Sequence, residues 1–378
     1  MTDVITKSLY VHIPFCKVKC PYCGFYSKPV GSKSDTGKYI NAVIKEIESL
    51  DIIPDKIKTI YLGGGTPTIL PLNDLYKMMG YLSEKFVFVE EFTIETNPSN
   101  TSRINWKELR NFGINRVSVG IQSLINNELK YLARPYKAES IPDYIDSILR
   151  TGIDNIAGDL IFAIPGSTIE NWKYTLAEIA KLPLKHISAY SLSFDTGTYF
   201  TKMKESGKII AVDDETDREM YTTAIDLLRA EGFEQYEISN FAKDNFKCRH
   251  NLTYWRNEGY VGAGASAGSF HNMIRSENIP NVESYINHIE NNTSHKTYEN
   301  KINALSYASE TAILQLRTNC GVDIDDFKAK TGFDILEMFN GEISANVEKK
   351  LLQIKNGSLS LTPNAYPIAD SVLCDFAR

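Results

Sequence analysis

Half of the chain's six cysteines fall within eight residues, where Cys16, Cys20 and Cys23 form C-x3-C-x2-C at the end of the apolar run "LYVHIPF". Clustered thiols serve as redox groups or metal ligands. Cys20-Pro-Tyr-Cys23 alone suggests a thioredoxin-like pair, and two such pairs would suggest structural zinc. Cys16 has no part in a dithiol pair, however, and no second Cys/His pair at metal spacing closes a zinc site. An iron–sulfur cube suits three thiolates better, because four ligands are the norm for a 4Fe-4S cluster and three leave one iron open to a substrate. Cys248, Cys320 and Cys374 stand alone and read as small buried hydrophobes.

Other polar and glycine-rich stretches stand where a ligand would meet them. "YLGGGTPT", Tyr61 to Thr68, lets the backbone of Gly64, Gly65 and Thr66 approach a ligand closely, although a plain Gly-Pro turn has the same composition. Glu95, Gln122, Arg134 and Asp159 stand at or just after successive strand candidates; singly, each reads as a solvated or capping group. In "CRHNLTYW", Cys248 to Trp255, a neutral His250 imidazole is a good metal ligand, and Tyr254 and Trp255 offer flat aromatic faces. The plainer reading is a satisfied core histidine beside aromatic packing.

The elements that must position these groups are legible as repeated βα units. Strand candidates are Leu9–Ile13, Ile57–Leu62, Phe92–Glu95, Arg116–Ile121, Ile156–Phe162 and His186–Leu192. Between them Ile141, Tyr144, Ile145, Ile148 and Leu149 follow one helix face, and Ile169, Trp172, Leu176 and Ile179 nearly do. Ser140 with Pro142, and Thr168 with Glu170, mark helix starts. A parallel sheet covered by helices follows, with ligands at the carboxyl ends of its strands. Beyond residue 200 come a helix near Asp213–Ala230, a strand near Gln235–Ser239 and a small-residue run, "GYVGAGASAGS". Helices are expected at Ala304–Arg317, Ile324–Lys330 and Val347–Ile354, with a short strand and turn at "SLSLTPNA". The expected domains are a parallel α/β core at 1–235, whose spacing leaves open sheet and barrel both possible, a connecting region at 236–295, and a carboxyl-terminal domain at 296–378 with a winged-helix-like outline.

Composition narrows the function. Of 378 residues, 43% are hydrophobic and 23% charged, ordinary globular values. A net charge of −6 leaves no basic footprint for nucleic acid, and residues 301–378 hold 8 basic and 10 acidic side chains, a poor balance for binding DNA. Met1 to Ser8 lack a leader pattern and no apolar run would cross a bilayer, so a cytoplasmic location is expected, where clustered thiols stay reduced.

C-x3-C-x2-C with Tyr22 before its last cysteine resembles the radical S-adenosylmethionine superfamily. The resemblance implies a partial (β/α)6 TIM-like barrel with a small, mainly α-helical carboxyl-terminal domain. It implies a 4Fe-4S cluster on Cys16, Cys20 and Cys23, whose open iron chelates the amine and carboxylate of S-adenosylmethionine, and whose electron splits the sulfonium to give a 5′-deoxyadenosyl radical. Gly64, Gly65 and Thr66 would take the methionine amine, and Tyr10, Tyr22, Glu95, Gln122, Arg134 and Asp159 the rest of the molecule. The whole series, with "ETAILQLRTNCGVD" near the carboxyl end, resembles the oxygen-independent coproporphyrinogen III oxidase subfamily over most of the chain.

Within that subfamily the oxidase has a further cysteine two places after the third, where this chain has Phe25, and a long extension before its first strand, where only fifteen residues precede Cys16 here. "HNLTYW" instead matches the H-N-x-x-Y-W motif of the oxidase's haem-chaperone relatives, and the match implies haem contacts for His250, Tyr254 and Trp255, with Cys248, two residues before His250, as a rival iron ligand. The implied function is to bind haem as cargo and deliver it to apo-haemoproteins; oxidative decarboxylation of tetrapyrrole propionates is the alternative. Implied partners are haem, acceptor haemoproteins that would supply any membrane contact, an electron donor for the cluster and a second copy of the chain.

Overall fold

In this computed structural model residues 5–31, 35–100 and 104–378 are described, so Met1–Val4, part of the segment read for a leader, lie outside the described residues. Six strands run parallel in chain order: β1 (Thr6–Ile13), β2 (Thr59–Gly64), β3 (Glu91–Thr96), β4 (Arg116–Gln122), β5 (Asn155–Phe162) and β6 (His186–Ser191). Side chains alternate between faces along a strand, and here the two faces differ in kind. Leu9, Val11, Ile13, Ile60, Leu62, Phe92, Ile94, Val117, Val119, Ile156 and Ile187 belong to one buried apolar cluster with helix residues such as Ile40, Val43, Leu75, Ile145 and Leu176. The other face presents Ser8, Tyr10 and His12, then Thr59 and Tyr61, then Glu91, Thr93 and Glu95, then Arg116 and Ser118, then Asp159, then His186 and Ser188. Cross-strand hydrogen bonds such as Thr59 to Ser8, at 2.7 Å, and Tyr61 to Glu95, at 2.8 Å, join this second face. The apolar core thus lies between sheet and helices, and the lumen of the partial barrel is polar. A packed barrel fills that space with branched aliphatics.

The helices seat themselves by local chemistry. Asp35 caps Thr36–Ser49 by accepting from the Lys38 amide, and Thr168 caps Ile169–Ala180 through Asn171. Ser140 makes no side-chain cap; its hydroxyl donates instead to the Lys137 carbonyl, and Pro142 opens that helix.

Both edges of the sheet are extended by the later chain. On the β6 side lie β7 (Glu234–Gln235) and β8 (Asn240–Ala242), two short strands where one near Gln235–Ser239 is expected. On the β1 side β9 (Gly259–Ala263) runs parallel to β1, followed by antiparallel β10 (Gly268–His271), β11 (Ile274–Asn278) and β12 (Lys296–Lys301). Residues 236–295 are therefore built into the sheet at both edges, and the polar stretch at 290–301 supplies its last strand. Between the edge extensions, the Arg249–Trp255 helix packs against β1 and β2 and closes the amino-terminal end of the lumen.

A second apolar core, with Ala312, Leu316, Phe327, Phe339, Leu359 and Phe376, begins with the Ala304–Leu316 helix and includes a three-stranded antiparallel sheet. The helix expected over Val347–Ile354 is absent: a helix at Asn340–Glu348 ends there, and Leu352–Lys355 pairs with Ser358–Leu361. Asn356 and Gly357, both at positive φ, make the two-residue turn that Asn-Gly favours in a hairpin. Cys320 and Cys374 are exposed, against the expectation of burial, while Cys248 is buried.

Candidate functional site

The three cysteines sit where β1 ends. Phe15–Cys16 pairs with Lys28–Pro29, a turn brings the Cys23 amide to the Cys20 carbonyl at 3.2 Å, and the Phe200 amide pins the Pro21 carbonyl at 3.0 Å. All three are partly exposed free thiols, and burial raises the pKa of Cys16 and Cys23. Among the described residues no three His, Cys, Asp or Glu side chains converge tightly enough to hold one metal ion. A cube places each thiolate on its own iron, so the loop fits a cluster.

The glycine turn is fastened to this loop. The Gly65 amide donates to the Ile13 carbonyl at 2.9 Å and the Thr66 amide to the Phe15 carbonyl at 2.7 Å. Gly64 stands at φ +104°, where a Cβ would lie 2.4 Å from the His12 ring, so only glycine fits. The Gly64 amide is taken by Glu95, at 3.1 Å, so an incoming amine meets acceptors rather than competing donors. The Thr66 hydroxyl accepts from Asn97 at 3.1 Å and points at Cys16, 3.9 Å away.

Arg134 binds both sides of the mouth, donating to Cys20 Sγ at 3.2 Å, to the Gly120 carbonyl at 3.1 Å and to the Tyr136 hydroxyl at 2.9 Å. It puts a cation beside the Cys20 thiol at the mouth of the lumen. Gln122 stands at φ +67° beside an irregularity in the β4–β5 ladder, and a Cβ on Gly120 would crowd both Gln122 and Arg134. Tyr22 packs with Phe200, Leu132 and Ile164, which fixes the cysteine loop to the barrel.

Below the rim a polar column descends. Glu95 accepts from Tyr61 as well as Gly64, and burial pushes its carboxyl up to about 7. Asp159 accepts from Ser118 at 3.1 Å, and its pKa too is raised by burial. The Tyr10 hydroxyl meets His12 Nδ1 at 3.0 Å, and His12 Nε2 meets the Tyr26 carbonyl at 2.9 Å, so His12 ties the strand to the cysteine loop.

At the floor, the Glu91 carboxylate accepts the backbone amides of Arg249 and His250, at 2.9 and 3.0 Å, and so caps the Arg249–Trp255 helix from another strand. His250 is 1% exposed, with Nδ1 on Thr59 at 2.8 Å, Nε2 on the Tyr254 hydroxyl at 2.7 Å, and its ring 5.1 Å from that of Tyr61. Burial, reinforced by Arg116, lowers its pKa to about 3. Trp255 points the other way and takes the Arg317 guanidinium on its ring, 5.1 Å off, linking the floor to the carboxyl-terminal domain. Cys248 is a neutral thiol against Glu91, pushed up to about 12 by burial.

The structure thus gathers Tyr10, Gly64, Gly65, Thr66, Glu95, Gln122, Arg134 and Asp159 around the lumen and rim, and sets the aromatic motif beneath them. Tyr61, Glu91, Arg116 and Ser118 also belong to this lumen. Their signal in the sequence is the polar alternate residue along each strand, "EFTIET" and "RVSVGIQ" for instance. Outside the lumen a cleft of about 450 Å3 opens beside Cys20 and Cys23; Lys19, Tyr199 and Lys202 line it, and the Asp195 side chain packs against its Gly24.

Two family models match the chain, the radical SAM superfamily over residues 10–179 and the HemN C-terminal domain over 302–368. The heme chaperone HemW of Lactococcus lactis is 32% identical over 98% of this chain and 97% of its own length, and that of Bacillus subtilis 32% identical over 98% and 99%. The solved coproporphyrinogen III oxidase HemN of Escherichia coli, a radical SAM enzyme, superposes with a TM-score of 0.83 over 99% of this chain and 90% of that one, at 20% identity, a likeness of fold. Similarity sustained from end to end, through the cysteine loop, the polar lumen and the carboxyl-terminal domain, shows that this chain belongs to the heme chaperone HemW family within the radical SAM superfamily.

Proposed function

We propose that the chain is a haem chaperone that binds haem and delivers it to apo-haemoproteins. The observation that carries this reading is the full-length likeness to the HemW chaperones. Phe25, standing where the oxidase resemblance requires a further thiol, points the same way.

Cys16, Cys20 and Cys23 would hold a 4Fe-4S cluster, and Tyr10, Tyr22, Gly64, Gly65, Thr66, Glu95, Gln122, Arg134 and Asp159 would surround S-adenosylmethionine. When bound, that pair supplies one-electron cleavage of the sulfonium. The chain's own contribution is to orient: Arg134 offers a guanidinium for a carboxylate, and Glu95 and Asp159 offer acceptors for ammonium and hydroxyl groups. Glu95, with its carboxyl near neutrality, gives up its proton when a cation settles beside it.

Two places suit haem. His250 is a ligand only if its bond to Tyr254 opens, since both ring nitrogens are engaged. The cleft beside Cys20 offers two ammonium groups and an exposed tyrosine to a flat molecule with two carboxylates. Acceptor haemoproteins, an electron donor and a second copy of the chain are further partners under this reading. Among the described residues no helix is long and apolar enough to cross a membrane.

Haem titration followed by the Soret band tests the function. One haem per wild-type chain is expected, and transfer to an apo-haemoprotein should follow mixing. His250→Ala and the pair Lys19→Glu with Lys202→Glu show which place is used. If the wild type takes up no haem stoichiometrically, the reading fails; protoporphyrinogen formed from coproporphyrinogen would restore the oxidase.

A further inference from the structure

The cleft beside the cysteine loop has two walls, and both are fixed. One is the loop itself, residues 19–24; the other is the turn at 196–198 with the start of the helix Tyr199–Glu205. The Thr198 hydroxyl caps that helix by accepting the Thr201 amide at 3.2 Å. The Asp195 carbonyl holds the turn, accepting the Thr198 amide at 3.1 Å and the Thr201 hydroxyl at 2.7 Å. Phe200 packs its buried ring against Tyr22 while its amide donates to the Pro21 carbonyl, so the walls are joined to each other. A space held by contacts on both sides is preorganised for a ligand.

The side chains that line this space are unspent. Tyr199 is 59% exposed, and its hydroxyl has no partner among the described residues. Lys202, one turn further along the same helix, is exposed and has no ion pair among the described residues. The Lys19 ammonium donates only to the Phe25 carbonyl, at 3.4 Å. Asp195 packs its carboxylate against Gly24 and pairs with neither lysine. At the rim, next in the chain to Lys19 and Gly24, Val18 and Phe25 expose apolar surface. Two ammonium groups beside a phenol and an apolar rim match a flat apolar molecule that carries two carboxylates at one edge and a ferric ion at its centre.

Few of these groups can reach the iron. Cys20 and Cys23 are the cluster's ligands under the haem reading, and the lysines are ammonium ions without a lone pair. Among the described residues no histidine lines the cleft, and the Thr198 hydroxyl is engaged at the helix cap. Tyr199 remains. A phenolate is a hard anion that matches ferric iron, and tyrosine is one of the axial ligands that proteins give to haem. Lys202 stands at i+3 from Tyr199, on the same helix face, where its charge favours the phenolate. We propose, on the strength of the haem reading above and dependent on it, that Tyr199 is the axial ligand of ferric haem seated in this cleft, with the propionates on Lys19 and Lys202.

On binding, the Tyr199 hydroxyl loses its proton to water, an iron–oxygen bond forms and the water on the iron leaves; no electron moves. The other face of the iron stays open, as a carrier that hands on its cargo requires. A one-electron donor reverses the attachment: the iron takes the electron, the iron–oxygen bond breaks and the phenolate takes a proton from water, so ferrous haem is the form released. His250, buried and bonded at both ring nitrogens, keeps its place at the lumen floor.

The test uses the full chain with its cluster reconstituted and titrated with ferric haem. Wild type should give a high-spin ferric signal in EPR and iron–phenolate vibrations in resonance Raman. Tyr199→Phe, which keeps the exposed ring, should lose those vibrations, bind haem about tenfold more weakly and leave thermal unfolding unchanged. Haem dimethyl ester, with its propionates masked, should bind wild type several-fold more weakly than haem does, and Lys19→Ala with Lys202→Ala should make the two bind alike. Dithionite should speed haem transfer from wild type to an apo-haemoprotein; transfer indifferent to reduction overturns the release step. Stoichiometric haem that keeps its spectrum and affinity in Tyr199→Phe overturns the Tyr199 assignment and leaves the chaperone reading standing. A wild type that takes up no haem overturns the chaperone reading itself, and the assignment with it.

Discussion

The two ends of the lumen are built on opposite principles. At the rim, thiols, glycines and Arg134 are partly exposed and held mainly by backbone contacts, which leaves sulfur atoms and acceptors facing outward. At the floor His250, Thr59, Ser8, Thr253 and Glu91 are buried and bonded to one another. A site that must accept a cofactor keeps spare valence, whereas a floor that must exclude water closes its own. Substitutions at the rim should therefore remove function and spare the fold, and those at the floor should do the reverse.

The largest effect expected is at the rim. Cys20→Ala should take the anaerobically reconstituted chain from one 4Fe-4S centre to none, read by iron counting and EPR, with thermal unfolding of the cluster-free proteins nearly unchanged. A stoichiometric zinc ion in wild type would sink the cluster. At the floor, His250→Ala removes a ring bonded at both nitrogens and leaves the buried Tyr254 hydroxyl and a cavity, a cost of about 4 kcal/mol in urea unfolding. Cluster content should hold. Loss of the cluster without loss of stability would invert the comparison.

Between the two ends stands Glu95, and pH separates its role from theirs. Its folded pKa of about 7 lies above its ordinary 4.5, so between these values the native state binds more protons than the unfolded one. Stability from this group is complete below pH 4.5, declines as pH rises, and is gone above about 7. Over about 2.5 pH units that amounts to roughly 3 kcal/mol. Glu95→Gln should lack this decline when its urea unfolding is compared with wild type at acid and alkaline pH without S-adenosylmethionine. Adding the cofactor should reduce the difference, since an ammonium beside Glu95 stabilises the ionised carboxylate. His250 contributes the opposite slope, its folded pKa near 3 lying below 6.5, so stability from it is lost as pH falls below 6.5 in both proteins and cancels in the comparison.

What could be read beforehand divides along similar lines. The six parallel strands and their order of polar carboxyl ends were legible because strand periodicity and glycine turns are local signals. The edge strands were not: β9 joins β1 from far along the chain, and β10 and β11 are joined by Asn272 and Met273, both at positive φ, a pair without the usual hairpin signature. The Asn356-Gly357 turn did carry that signature, yet the apolar residues of Val347–Ile354 matched a helix face as well as a strand. The lumen's polarity was present in every strand as alternation, but which face is inner is decided only when the sheet curves. His250 shows the same limit, since its types and spacing suit a haem ligand and its burial depends on Thr59 and Glu91, distant in sequence.

The smallest effect should come from the residue that most sharply separates this chain from the oxidase resemblance. Phe25 is 69% exposed at the cysteine loop, and its carbonyl, which any residue supplies, accepts from Lys19 at 3.4 Å. Phe25→Ser removes an exposed ring and leaves the backbone as it is, so unfolding should shift by no more than about 0.5 kcal/mol. Cluster content should stay at one per chain, because Cys16, Cys20 and Cys23 remain. If the ring instead covers bound haem or an acceptor's surface, haem transfer slows while haem-free stability stays unchanged, which again places function at the rim. A loss of several kcal/mol from this one exposed ring would show that the rim is held by side-chain packing after all, and the contrast with the floor would collapse.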